Sequence, residues 1–292
     1  MRWSTIKRLE FIESRLFWDE KISRKDLTEY FDISIPQATK DLKQYAEKAP
    51  GNIRYDKSAK QYVIGDDFQN TIATTDSETY FSQLAISNFE KSGDFFCGTM
   101  PVSYQLPFMA RSVDPLLLKE MLKCMHGGYS IEIDYQSMNS PDPEKRTISP
   151  HALGSDGMRW HVRGLCHKDK MYKDFSLSRI TGTEGKRKFL HGHANDYLWH
   201  NNLVFKIAPH LDLSPGQKQI IEREHNMVNG EGSIEIKAAF AFYLIQRLGL
   251  HVENENIPGK QQQIILKNRE EIDMKIKLLR EIELTRIKEL SL

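Results

Sequence analysis

Apolar side chains at Ile6, Leu9, Ile12 and Leu16 recur at helical spacing, so the chain opens with a predicted amphipathic helix over 4–18. Ser23 and Asp26 have the spacing of a capping box, ahead of a short helix over 24–31 that turns Leu27 and Phe31 inward. Residues 32–34 form the turn. Ser34 is the next N-cap, and Pro36 sits in the first helical turn, where its missing N–H costs nothing. Over 35–47, Ile35, Ala38, Leu42 and Tyr45 gather on one side of a helix. Pro36, Gln37, Lys40, Lys43 and Gln44 gather opposite, a face of amides and ammonium groups with no carboxylate at its centre. Two short strands, 52–56 and 61–64, then flank a lysine-tipped turn.

Helix, capped short helix, tight turn, basic helix and wing together match the winged helix-turn-helix that reads DNA. Glutamine suits adenine edges, and lysine suits guanine edges or phosphates. The candidate DNA contacts are Arg24, Ser34, Gln37, Thr39, Lys40 and Lys43, with Lys57 and Lys60 in the wing. The competing reading of this block is a small helical domain with an ordinary solvated face.

Further on, a helix is expected over 77–89, followed by an irregular stretch over 91–113 that carries Gly93, Gly98, Pro101 and Pro107. Asp114 and Pro115 open another helix, filled by Leu116 to Met125 and ended by Gly127. Strands dominate after that. Ile131, Ile133 and Tyr135 alternate with Glu132 and Asp134; 147–153 is a second strand, 158–165 a third and 171–180 a fourth. So many strands in about sixty residues suggest a small SH3-like or Sm-like barrel. In the third strand the period of two places Trp160 and Val162 on the core side, and Arg159, His161 and Arg163 opposite.

Ser149-Pro150-His151-Ala152-Leu153, Trp160-His161-Val162 and Phe175-Ser176-Leu177-Ser178-Arg179-Ile180 resemble the WYL domain of bacterial transcription regulators. The chain carries His161 and Val162 in place of the last two residues of the name-giving triplet, and Lys173 where relatives often have arginine. The run Arg159 to Arg163 looks like the BrxR/CapW-type regulators that guard the BREX and CBASS phage-defence loci. That resemblance implies a winged helix-turn-helix, a WYL domain and a C-terminal extension that completes a homodimer. It also implies a basic pocket for a nucleic-acid or nucleotide effector. The candidate pocket residues are Tyr135, Ser149, His151, Arg159, His161, Arg163, Lys173 and Arg179. Arginine forks fit phosphate bidentately and aromatic rings offer a stacking face. The plainer alternative is a solvated strand face with Arg179 in a structural ion pair.

After residue 190 the pattern alternates: strands over 203–207, 233–237 and 262–266, helices over 214–226 and 238–248, and a last helix from Asn268 past Ile287. Ile272, Ile276, Leu279, Ile282 and Ile287 are its expected buried stripe. The whole is a multidomain α+β chain: winged helix-turn-helix over 1–66, helical linker and dimer region over 67–127, WYL barrel over 128–190, and an α+β dimerisation extension over 191–292. His191, His193, Asp196 and His200 have the residue types of a metal cluster, but no cysteine pair or HExxH helix supports one.

Charge sharpens the picture only slightly. The net of +1 hides a basic block over 1–64 (net +3), an acidic one over 65–128 (net −4) and a second basic one over 129–190 (net +3). With 39% hydrophobic residues the chain can build cores, and its longest charge-free run is far short of a membrane span. Three widely spaced cysteines and no visible secretory signal fit a reducing cytoplasm. No phosphate-binding loop, nucleophile elbow or dinucleotide fingerprint occurs, and no cofactor is implied. The expected function is a homodimeric transcriptional regulator, a repressor of a phage-defence operon. It would bind an inverted-repeat operator and answer to an anionic effector. A nuclease or nucleotide hydrolase targeted by the helix-turn-helix is the competing class, and a protein-binding adaptor the third.

Overall fold

The computed structural model describes residues 2–90, 95–106, 111–188, 193–250 and 257–289. It forms two units, Met1–Pro107 and Phe108–Leu292. In the first unit, α1 (Trp3–Asp19) leads through β1 (Lys21–Ile22) to α2 (Arg24–Phe31) and α3 (Ile35–Lys48); β2 (Ile53–Asp56) and β3 (Gln61–Ile64) form the wing, and α4 (Ser77–Glu90) follows. The capping box of Ser23 and Asp26 is formed in full, and the Ser34 hydroxyl accepts from the Gln37 N–H. Leu9, Phe11, Ile12, Leu16, Ile22, Leu27, Ala38, Leu42 and Tyr45 make the core. Ile35 does not join it: its side chain is 63% exposed at the start of α3. The two-residue β1, too short to leave a periodic signal, pairs with β3 and makes the wing a three-stranded sheet.

A buried carboxylate ties this unit to the segment that follows the wing. Glu13 is fully buried, and no cation among the described residues pairs with it. Its oxygens instead accept from the backbone N–H groups of Thr71, Ile72 and Ala73, at 2.7, 2.8 and 3.0 Å, and from the Thr71 and Tyr45 hydroxyls, at 2.8 and 3.0 Å. Burial pushes the acid's pKa up, but the three N–H groups and the Thr71 hydroxyl outweigh it and hold it below the ordinary value.

In the second unit, α5 (Pro115–Gly127) lies on a sheet of β4 (Tyr129–Tyr135), β5 (Glu144–Ser155), β6 (Trp160–Cys166), β7 (Met171–Ser176) and β8 (Ile180–Lys188). The antiparallel strand order is β7-β6-β5-β4-β8, and β7 and β8 do not pair. The sheet is therefore open, which corrects the expected SH3-like or Sm-like barrel. Closure requires one pairing between the first and last strands of the order, and alternation within strands carries no information about it. Leu117, Met121 and Cys124 of α5 pack on Ile131, Ile133, Ile148, Val162 and Phe175.

The C-terminal part contributes α6 (Tyr197–His200), β9 (Asn202–Pro209), α7 (Pro215–Glu224), β10 (Gly232–Lys237), α8 (Ala241–Arg247), β11 (Ile264–Leu266) and α9 (Arg269–Glu289). Its three strands run in the order β10-β9-β11. The expected stripe on α9 is buried at Ile272, Leu279 and Ile287, and it also contains a carboxylate, Glu283, at 3% exposure. This part packs directly on the five-stranded sheet: Ile287 meets Leu165 and Tyr172. A β-carbon placed on Gly154 of β5 would lie 2.0 Å from Cζ of Phe240, so only glycine leaves room there for that ring.

Every residue of β6 after the first is buried. Val162 lies in the core beneath α5, while His161 and Arg163 are covered by residues of the C-terminal part. Trp160 at the strand's start is 56% exposed, which corrects its expected place in the core.

Candidate nucleic-acid interface and sensor cavities

The exposed side of α3 is set by an ion pair beneath it. Asp41 is fully buried and receives the Arg8 Nε of α1 at 2.6 Å. The same carboxylate accepts from Gln37 Nε2 at 2.9 Å, which holds the glutamine's side chain and uses one of its two amide N–H groups. Sequence periodicity did not show this anchor, because Asp41 reads as one more polar position. Thr39 turns its hydroxyl back to the Ile35 carbonyl at 2.9 Å. Lys40 is exposed, and Lys43 lies 3.9 Å from Glu47. Arg24 is exposed in the first turn of α2. In the wing, Asp56 accepts from the N–H groups of Ser58 and Ala59, which shapes the turn that exposes Lys57 and Lys60.

The eight expected sensor residues do not line one open face. Arg163 is 4% exposed and fully committed: Nε and Nη2 donate to the two oxygens of Asp196 at 2.8 and 2.9 Å, and Nη1 donates to Asp174 at 3.2 Å. His151 contacts the same Asp196 through Nε2 at 2.8 Å. Ser149 is buried, with its hydroxyl 2.8 Å from His167. Tyr135 packs edge-on against Phe175. Lys173 pairs with Asp169 at 2.5 Å. Arg179 is half-buried in the 3-10 turn Leu177–Arg179, where its carbonyl accepts from Gln136. Arg159 and His161 lie by the β5–β6 turn, and His161 Nε2 is 3.1 Å from Asp156.

The electrostatics around Arg163 are those of a buried structural cluster. Burial pulls the guanidinium pKa down, but the Asp196 hydrogen bonds and the charges of Asp174, Asp196 and Glu283 raise it well beyond its usual value. Burial pushes Asp196 up, and His151 and Arg163 hold it down at about 2. Glu283 goes the other way: burial and the Asp196 charge raise it to about 7, against Arg163 and the backbone of Tyr172 and Leu198. Its Oε2 is buried without a hydrogen-bond partner. Arg163, Asp174 and Glu283 border a cavity of about 750 Å³ between β7, α8 and α9.

Glu283 predicts a pH effect. Its folded pKa of about 7 exceeds the ordinary 4.5, so its proton stabilises the fold fully below 4.5, and that stability is lost as pH rises through 7. Glu283→Gln cannot ionise. Denaturation of parent and variant is expected to differ little at pH 4.5 and to favour the variant by roughly 1–3 kcal/mol at pH 8. An equal difference at both pH values contradicts this account.

Of the histidine group, His191 and Gly192 lie outside the described residues. His200 Nε2 contacts the His193 carbonyl, and Asp196 is engaged by Arg163 and His151. No group of three metal-ligating side chains occurs among the described residues. Cys97, Cys124 and Cys166 are free and buried, and among the described residues no helix is long and apolar enough to cross a membrane.

Three family models match in order along the chain. They are the BrxR transcriptional regulator winged helix-turn-helix domain over 4–86, the WYL domain over 116–184 and the BrxR transcriptional regulator C-terminal dimerization domain over 204–272. The DNA-binding transcriptional repressor CapW of Escherichia coli (strain KTE188) is 35% identical over 93% of this chain and 91% of its own length. CapW of Pseudomonas aeruginosa matches at 35% with the same coverage, and that of Stenotrophomonas maltophilia at 30% over 93% and 92%. These relatives are regulators rather than enzymes. With such identity spread over nine-tenths of both chains, and with winged-helix, WYL and dimerization models matching along its length, this chain belongs to the CapW family of BrxR-type regulators.

Proposed function

We propose that the protein is a homodimeric repressor of a phage-defence operon, released from an inverted-repeat operator by an anionic effector of nucleotide type. The observation that carries the reading is the exposed amide-and-lysine face of α3, held in place by the buried Arg8–Asp41 pair. A helix so anchored enters a major groove with little freedom left to lose on binding. Gln37 and Lys40 then read base edges, Arg24, Ser34 and Lys43, with Lys57 and Lys60 of the wing, hold phosphates, and Thr39, its hydroxyl proton already given to Ile35, offers its methyl group. The dimerization domain supports a two-fold complex and a palindromic site with half-site centres about 10 base pairs apart or a multiple. An effector can release the operator only through different affinities for the two states of the dimer.

Selection of genomic fragments by the purified protein tests the reading, and a single palindrome upstream of defence genes is the expected product. On that site, Gln37→Ala is expected to relax base preference by about 1–3 kcal/mol at one position. Lys57→Ala is expected to weaken all sequences alike and to lower the salt slope by about one. Unchanged affinity and specificity in a double Gln37→Ala, Lys40→Ala variant would rule out this docking.

A further inference from the structure

Beside the β5–β6 turn, a cleft of about 670 Å³ opens between the WYL sheet and α8. Asp156 and Arg159 line one side, and Phe242, Tyr243 and Arg247 the other. Its cations are uncommitted. Neither the Arg159 nor the Arg247 guanidinium has an ion pair among the described residues, and Arg159 Nε is buried without an acceptor. Asp156, the acidic residue of the lining, is already occupied. Its Oδ1 accepts from the Met158 and Arg159 N–H groups, both at 2.7 Å, and its Oδ2 faces His161. Burial raises this acid, but those contacts outweigh it and hold it below its ordinary value. Gly157 (φ +87°) provides the space for Arg247, whose Nη1 lies 2.9 Å from where a β-carbon would stand.

The opposite wall is aromatic. Tyr243 is fixed by the His161 ring at 5.0 Å and by its hydroxyl, 3.4 Å from Asp174. Phe242 stands 64% exposed next to it, with ring centres 5.6 Å apart. Two free arginine forks facing a rigid ring and an exposed one have the donor set for phosphate and for a flat base.

We infer that this cleft binds a nucleotide, with its phosphate between Arg159 and Arg247 and its base on Phe242 and Tyr243. The inference rests on the effector reading above and gives the effector a place. The ligand would hold the β5–β6 turn to α8, and so join the WYL domain to the C-terminal domain. Arg163, Ser149 and His151 then support the site from behind rather than touch the ligand.

Calorimetric titration of the full-length protein tests it, using AMP, adenosine, inorganic phosphate and a 5′-phosphorylated tetradeoxynucleotide. AMP or the oligonucleotide is expected to bind at least about ten-fold more tightly than adenosine or phosphate, and which of the two binds identifies free nucleotide or strand end as the source. Arg247→Ala and Phe242→Ala are each expected to weaken that binding about ten-fold while leaving melting midpoint and oligomeric mass unchanged. No binding of either phosphorylated probe overturns the inference, as does binding that both variants leave intact. A Phe242→Ala protein that turns monomeric also overturns it, because the ring is then a contact between copies. Operator binding measured in parallel separates the two claims. Probe binding lost in the variants, with no effect of probe on operator affinity in the parent, leaves the cleft and removes the effector role. Operator release by probe that persists in Arg247→Ala keeps the effector role and removes the cleft.

Discussion

Arg163→Met is expected to destabilise the second unit by about 3–5 kcal/mol, because it strips the one guanidinium from a buried set of three carboxylates. The side chain that remains has the right bulk, so the loss reports charge and hydrogen bonding rather than a cavity. Asp196 would be left with His151 and the Trp199 N–H for partners, and the nearby Glu283 would face an uncompensated charge. Arg163→Lys is expected to recover less than half of the loss, since an ammonium cannot span both Asp196 oxygens and Asp174. Urea unfolding of the two variants decides the matter. A loss under about 1 kcal/mol for Arg163→Met would show that the cluster is not structural. Any failure of effector response in such a variant is then a consequence of folding, unlike the failures expected at Arg247.

The second large effect belongs to Glu13. Glu13→Gln is expected to cost about 3 kcal/mol, because the amide N–H₂ replaces an acceptor among five donors and leaves some of them unpaired. The pH dependence has a definite sign. The folded acid lies below 4.5, so its contribution is complete above that pH and fades as pH falls through the lowered folded value. The gap between parent and variant should therefore shrink on acidification. A constant gap from pH 7 to pH 3 is incompatible with a nest built for the carboxylate.

The sequence reading passes over Glu13 and places Arg163 on an open face, and for the same reason. Helical periodicity locates α1, α2 and α3 well, because Leu9, Ile12, Leu27, Ala38 and Leu42 bury as their spacing predicts. Caps at Ser23, Ser34 and Asp114 are equally legible, since each needs only a neighbour within a turn. Glu13, Asp41 and Glu283 look polar and hence exposed. Their burial depends on partners distant in sequence: Thr71 for Glu13, Arg8 for Asp41, and the backbone of Tyr172 and Leu198 for Glu283. The expected row of Arg159, His161 and Arg163 fails similarly. Alternation gives the face correctly, but nothing local reveals that the C-terminal part covers it. Trp160 errs in the opposite direction, as bulk and apolarity suggest a core that ends one residue later.

The ring of Phe240 against Gly154 has a consequence for how such chains are inherited. A shelf with no β-carbon is useful only while an aromatic side chain from another domain rests on it, and the ring fits only while the shelf stays bare. Neither position can drift by itself without a clash or a void of several carbon atoms. Recombination that joins this WYL sheet to another relative's C-terminal domain would part the two. The pair thus couples β5 to the C-terminal part within the second unit, at two positions far apart in sequence.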